Sequence, residues 1–502
     1  MHRAELTIDP AFQIGEVDPR IYGSFVEHLG RCVYTGIYEP DHPSADADGF
    51  RQDVAELVRE LGVPVLRYPG GNFVSGYQWE DGIGPRDQRP RRLDLAWRSI
   101  ETNQVGVDDF TAWAHRVGSA PMMAVNLGTR GVQDACNLLE YTNHPGGTHW
   151  SDLRRRNGAA QPYGIKLWCL GNELDGPWQT GFKTAREYGR LAAQTAQAMR
   201  RIDPTIELVA CGSSGRTMPT FGTWEATVLA ETYDLVDYVS LHSYYEELDG
   251  DRASFLASAV DLDRFIESVV ATCDHVRAVG RHTKRINLSV DEWNVWYRQR
   301  PDGERGPDWT VAPRLLENTY SMLDAVVVGD LLISLLRHAD RVRIACLAQL
   351  VNVIAPIRTE PGGGAWRQPT YHPFALTSRH GRGTVLRVEP SGPTYPTAQH
   401  GEVPVLSATA VRDAESGVLV LFAVNRDQHQ PLALDVNLRA CPELVAGTHL
   451  AMCDDDPEAT NGLDQPDRVT PRRLADPTLD GGRLGAVLPP LSWNLLRLTP
   501  AG

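Results

Sequence analysis

What the chain lacks narrows its class first. No apolar run is long enough to cross a bilayer, which takes about 20 residues. The longest, Ala325 to Val328 and then Leu331 to Leu336, is broken by Asp330, preceded by Asp324 and followed by Arg337 and His338. It reads as a buried helix, and no membrane partner is expected. The amino terminus, MHRAELTIDP, is polar and has no secretory signal, so a cytoplasmic protein is expected. Cysteines are few and scattered, eight in 502 residues, with no CxxC pair and no His/Cys group at zinc spacing. Cys169, Cys211 and Cys346 lie in apolar strand-like runs, as small core residues do. Free thiols and no metal follow as expectations. Basic residues are outnumbered, 49 Lys and Arg against 64 Asp and Glu, for a net charge of -15. Nucleic-acid surfaces need clustered basic side chains, so no nucleic acid is expected and a neutral or weakly charged substrate suits the chain better.

What is present is an alternation. From Arg20 onward, short apolar or β-branched runs alternate with amphipathic stretches, the pattern of repeated βα units. Eight such runs are legible: Ile21 to Phe25, Pro64 to Tyr68, Met122 to Leu127, Lys166 to Leu170, Glu207 to Cys211, Tyr238 to His242, Ile286 to Val290 and Arg343 to Gln349. Between them, Asp53 to Leu61 places Val54, Leu57, Val58 and Leu61 on one helical face, and Lys183 to Arg200 does likewise. Eight such repeats predict an α/β fold, a (β/α)8 TIM barrel with its site at the carboxyl ends of the strands. After about Tyr371 the helical period is lost. Val403 to Val411, Gly417 to Asn425, Leu432 to Leu438, Gly447 to Met452 and Leu491 to Leu498 read as strands of an all-β sandwich, which the amino-terminal run Arg3 to Asp9 can join. The expected division is a barrel over residues 19–378 and a sandwich from residues 1–18 and 379–502.

The strand ends carry the chemistry. They deliver Glu27 and His28, Arg67 and Asn72, Asn126, Asn172 and Glu173, Ser213 and Ser214, His242 and Tyr244, Asp291 and Glu292, and Gln349 with Asn352. Two of these ends bring a glutamate, in CLGNELDGP and INLSVDEW. Paired carboxyl groups from separate strands are what glycoside hydrolysis needs, one to protonate the leaving oxygen and one to act on the anomeric carbon. Glu173 is the candidate acid/base, to be raised in pKa by neighbours such as Trp168 or Trp178 and by the second carboxylate; its plain alternative is a surface salt bridge. Glu292 is the candidate nucleophile, to be kept ionised by Arg67 or by the Tyr244 hydroxyl. Strand alternation puts Asp291 on the opposite face, in a structural pairing. Asn172 suits the sugar hydroxyl beside the reacting carbon, or else a turn. Trp296 and Trp97 offer flat faces to a sugar ring, or else core. His242 is counted among the substrate contacts; with no second histidine at ligand spacing it makes no zinc site.

Longer matches then join these residues. GSFVEHLGR from Gly23, LRYPGGNFVSGYQWEDGIGP from Leu66, RPRRLDLAW from Arg89, CLGNELDGPWQTG from Cys169, SLHSYY from Ser240, DEWNVWY from Asp291 and RIACLAQLVNVIAP from Arg343 resemble, in order and nearly end to end, the intracellular α-L-arabinofuranosidases of glycoside hydrolase family 51. The resemblance implies a barrel with a β-sandwich and a retaining mechanism, with Glu173 as proton donor and Glu292 as nucleophile. It implies an arabinofuranose subsite lined by Glu27, Asn72, Asn172, Tyr244, Trp296 and Gln349, no cofactor, arabinofuranosyl oligosaccharides as substrates, and a homo-oligomer, often a hexamer. Phe182 and Ser243 depart from the family's usual histidine and glutamine; both are expected near the mouth, where they would bear on leaving-group preference. A β-xylosidase or endo-glucanase using the same pair, or a non-catalytic sugar-binding protein, are the alternative functions.

Overall fold

The computed structural model describes residues 1–298 and 308–500. Eight parallel strands close a barrel: Gly23–Phe25, Val65–Tyr68, Ala120–Ala124, Leu167–Leu170, Glu207–Ala210, Tyr238–Tyr245, Asn287–Val295 and Val342–Leu347. Each strand pairs with its sequence neighbours all the way round, and each of the eight expected runs falls on one of them. Most barrel strands are short, but the sixth and seventh run to 8 and 9 residues. Their extra length carries side chains up into the mouth. Outer helices follow from amphipathic faces: Gln52–Leu61 buries Val54, Leu57, Val58 and Leu61, and Ala185–Ile202 opens on a capping box in which Thr184 and Glu187 bond reciprocally to each other's backbone N–H.

The second unit is a ten-stranded sheet. The amino-terminal strand, His2–Glu16, lies within it, antiparallel to Thr384–Ser391 and parallel to Leu432–Asn437. Leu6, Ile8, Leu386, Leu421, Leu434 and Leu496, from strands spread across the whole sheet, share one apolar core separate from the barrel's. The sandwich is therefore one hydrogen-bonded sheet folded over on itself. The expected run Val403 to Val411 is split, Gly401–Pro404 forming a hairpin with Thr394–Thr397 while Leu406–Arg412 enters the sheet.

Helix Met322–Arg337 joins the two units and is buried on nearly every side. Its Arg337 donates to Ser407 Oγ at 2.8 Å, its Asp330 pairs with Arg426 at 2.6 Å, and a Cβ on Gly329 would come within 2.2 Å of the Trp493 indole. Flanked by barrel and sheet, the helix has almost no solvent face, and its few charged side chains are paired, which suits its largely apolar sequence. All eight cysteines are unpaired, and among the described residues no helix is long and apolar enough to cross a membrane.

Candidate active site

The site is built around a buried guanidinium. Arg67, near the end of the second barrel strand and 1% exposed, sits over the Phe25 ring and donates to Glu292 Oε1 at 2.8 Å and to Asn172 Oδ1 at 2.6 Å. A cation buried this deeply needs such partners. Tyr244, two residues beyond His242 on the sixth strand, donates to the other Glu292 oxygen at 2.7 Å. The two expected supports of Glu292 thus both reach it. Burial pushes the Glu292 carboxyl above the usual carboxylate range, opposed by His242 and Arg67.

Glu173 stands where the fourth strand has ended. Gly171 turns the chain at φ +94°, and Glu173 itself adopts φ +43°, a left-handed conformation that costs a non-glycine residue about 1 kcal/mol or more and clusters at functional sites. The turn is closed by Gly176 N–H donating to the Glu173 carbonyl at 2.9 Å. It aims the carboxyl inward: Oε1 meets His242 Nδ1 at 2.7 Å, and Oε2 accepts from Trp178 Nε1 at 2.8 Å. Trp178 is thus a direct partner, whereas Trp168 is fully buried with its indole N–H bonded to the Ile165 carbonyl, and does not contact the carboxyl.

Glu173, His242 and Glu292 each offer an atom such that all three lie within 4.8 Å of one another. Among the described residues this is the one group of His, Cys, Asp and Glu so gathered, and its atoms bond to each other and to Tyr244, Trp178 and Arg67. Asp291 completes it. Strict alternation would turn Asp291 outward; instead the ladder shifts register between Ser289 and Glu292 against the sixth strand and between Val290 and Trp293 against the eighth. That bulge brings Asp291 in beside Glu292. Its Oδ1 lies 3.1 Å from His242 Nε2 and its Oδ2 3.7 Å from Arg67 Nε. His242 is thus ringed by three carboxylates. Burial alone would lower its pKa, but Glu292, Asp291 and Glu173 together push it well above the ordinary histidine value.

A second cluster lies alongside. Glu27 is 1% exposed and accepts from Phe73 N–H at 3.0 Å, Trp97 Nε1 at 2.7 Å and Gln349 Nε2 at 2.9 Å. Burial raises its carboxyl to about 8 against the pull of the Phe73 and Trp97 donors, and Glu292 adds to the rise. Gly71, at φ +65°, makes the room: a Cβ there would fall 2.1 Å from Glu27 Oε2. Asn72 is linked to Asn172, whose amide donates to it at 3.4 Å. Trp296 packs edge-on against Tyr244 at 5.2 Å, and the Arg298 guanidinium covers it at 4.7 Å, so the flat face expected for a sugar is shared with a cation.

Other strand-end residues serve the scaffold. Asn126 bonds the Tyr77 carbonyl and the N–H groups of Gly128 and Thr129, and Asn352 bonds Arg31 and Thr359. Ser213 N–H donates to Glu225 Oε1, and Ser214 N–H donates to Asp175 Oδ2. His28 is taken up by Glu101 at 2.8 Å and Tyr68 at 2.9 Å. Ser243 does not face the mouth: its hydroxyl donates to Tyr245, which in turn bonds Asp261 on the outer helix Ser258–Gly280. Phe182 does lie exposed, on the loop that carries Trp178.

Two carboxyl groups facing one another in the mouth of a closed βα barrel mark the frame of a glycoside hydrolase. The comparisons narrow this. Residues 57–260 match the family model described as the α-L-arabinofuranosidase 1 domain, and residues 291–492 the α-L-arabinofuranosidase C-terminal domain. An intracellular exo-α-(1→5)-L-arabinofuranosidase of Streptomyces lividans is 62% identical over 500 residues, 99% of this chain and 75% of that protein. The Bacillus subtilis protein named intracellular exo-α-(1→5)-L-arabinofuranosidase 1 is 54% identical over 99% of both chains. A solved family 51 α-L-arabinofuranosidase from Bifidobacterium longum superposes with a TM-score of 0.95 at 48% identity, covering 99% of each chain. The chain belongs to the α-L-arabinofuranosidases of glycoside hydrolase family 51.

Proposed function

We propose that this chain is a retaining, exo-acting α-L-arabinofuranosidase that removes terminal non-reducing α-L-arabinofuranosyl groups from arabinan- or arabinoxylan-derived oligosaccharides. The observation that carries the proposal is the approach of Glu173 and Glu292 carboxyl oxygens to within 4.8 Å. Retaining enzymes hold the pair about 5 to 5.5 Å apart, whereas inverting enzymes leave about 6.5 to 9.5 Å for a water.

In this reading Glu173 protonates the glycosidic oxygen while Glu292 attacks the anomeric carbon, giving a covalent arabinofuranosyl-enzyme. Water then attacks, Glu173 takes its proton, and Glu292 leaves as carboxylate. Arg67 and Tyr244 steady the charge on Glu292, and Asn172, held by Arg67, meets the hydroxyl beside the reacting carbon. Glu27, Asn72, Gln349, Trp97 and Trp296 line the sugar pocket. The catalytic unit is residues 19–378, with residues 1–18 and 379–502 forming the sandwich. The enzyme works in the cytoplasm without cofactor, as a homo-oligomer, a hexamer by family resemblance.

The test is hydrolysis of an aryl α-L-arabinofuranoside and an aryl β-D-xyloside side by side, with the first-formed anomer read by NMR. Faster arabinoside cleavage with retention supports the proposal. Preference for the xyloside replaces the substrate, inversion replaces the mechanism, and no turnover of either restores a non-catalytic sugar-binding role.

A further inference from the structure

Among the described residues, His242 is the one group that touches both halves of the carboxyl pair. Its Nδ1 lies 2.7 Å from Glu173 Oε1 and 3.5 Å from Glu292 Oε2, while Nε2 lies 3.1 Å from Asp291 Oδ1. An ionised carboxylate only accepts hydrogen bonds, and a neutral imidazole has one donor nitrogen and one acceptor. With Nε2–H given to Asp291, the Nδ1 contact with Glu173 is satisfied only when one further proton lies in it, on the ring or on the carboxyl. The surrounding charges agree. Arg67, which also faces Asp291, is engaged with Glu292 and Asn172. Three carboxylates, Glu173, Asp291 and Glu292, therefore face one fixed cation, and one extra proton leaves a single net negative charge. Asp175, on the loop that carries Glu173, turns its Oδ2 to Ser214, and Tyr244 gives its hydroxyl proton to Glu292.

We propose that the proton Glu173 delivers is held jointly by Glu173 and His242, and that Asp291, acting through His242, is the positioning residue that keeps it there. This deepens the two-glutamate reading and rests on it. In the first step the shared proton passes to the glycosidic oxygen as its bond to the anomeric carbon breaks and Glu292 bonds to that carbon. The Glu173–His242 pair is left one proton short, at the moment Glu292 loses its charge by esterification. In the second step water gives the proton back to the pair as its oxygen bonds to the anomeric carbon and the Glu292 ester breaks. Asp291 holds the ring throughout so that Nδ1 faces the acid.

The sign of the expected pH effect follows. The negative charge of Asp291 favours retention of the shared proton, so Asp291→Asn should let it go at lower pH. The basic limb of kcat/KM on an unactivated arabino-oligosaccharide is expected to move down by about one unit or more. A dinitrophenyl α-L-arabinofuranoside needs no proton on its leaving group, so its kcat/KM should fall at least about tenfold less than that of the oligosaccharide. His242→Gln, which keeps a donor but cannot store a proton, should show the same leaving-group dependence and decides the matter should Asp291→Asn fail to fold. Melting transitions of both variants are measured beside the kinetics. Equal losses on the two substrates with an unmoved basic limb would overturn the proposal and leave Asp291 and His242 as packing residues. Wild-type enzyme inactive on both substrates would instead sink the arabinofuranosidase reading itself.

Discussion

Glu173 and Glu292 both end short apolar runs, yet the fold treats them differently. Glu292 lies inside a nine-residue strand, its side chain 6% exposed and clamped by Arg67 and Tyr244. Glu173 lies past the end of a four-residue strand, at φ +43° and 11% exposed, held by His242 and by Trp178, which is itself 53% exposed. In the proposed mechanism, the carboxylate that must bear charge and hit one carbon is the one fixed in the ladder by a cation and a phenol. The carboxyl proposed to lose and regain a proton sits on a turn, with one partner open to solvent. The difference in setting, more than the presence of two acids, separates the roles.

That contrast can be broken in four ways. The largest expected effect is for Glu292→Ala, a loss of about 10⁴-fold or more in kcat/KM that does not depend on the leaving group. Glu173→Ala should lose about 10² to 10⁴-fold on oligosaccharides and much less on a dinitrophenyl arabinofuranoside. Equal sensitivity of the two variants to leaving-group pKa would erase the distinction. Tyr244→Phe removes one hydrogen bond to a charged group, about 1.5 to 3 kcal/mol, so a loss of about 10 to 150-fold is expected, read as kcat/KM on both substrates. A loss confined to poor leaving groups would place Tyr244 with the acid instead.

The smallest effect concerns the neighbouring Glu27, whose folded pKa is raised from 4.5 to about 8. The folded protein retains a proton there that the unfolded chain releases, so this share of stability is full below about pH 4.5 and is lost as pH rises through about 8. Glu27→Gln should therefore lose less melting temperature than wild type between about pH 5 and about pH 9. Parallel curves would show that the Phe73, Trp97 and Gln349 donors keep Glu27 ionised in the fold.

Much of this was legible in the residues. The eight barrel strands could be read because each is an apolar run ended by polar side chains, and the buried helix because its apolar run is interrupted by acids and followed by Arg337 and His338. The supports of Glu292 could be named because a carboxylate that is to stay charged in a buried site needs a cation and a donor. What could not be read is geometry that breaks a period. Alternation sent Asp291 outward, and only the bulge between Ser289 and Glu292 turns it in. Ser243, read as part of the mouth, lies on the outer face because the sixth strand alternates regularly through His242 and Tyr244. The strands Thr384–Ser391 and Arg483–Leu488 were missed because much of each is polar or half-exposed.

Whether Glu292 takes the sugar while Glu173 manages the proton is decided by trapping. Glu173→Ala is incubated with a dinitrophenyl α-L-arabinofuranoside, quenched in acid, digested with pepsin and weighed by mass spectrometry. The peptide spanning Asn287–Val295 should gain the mass of one anhydropentose, fixed on Glu292 by fragmentation. Rapid turnover with no labelled peptide, or the label on any other carboxylate, would contradict it.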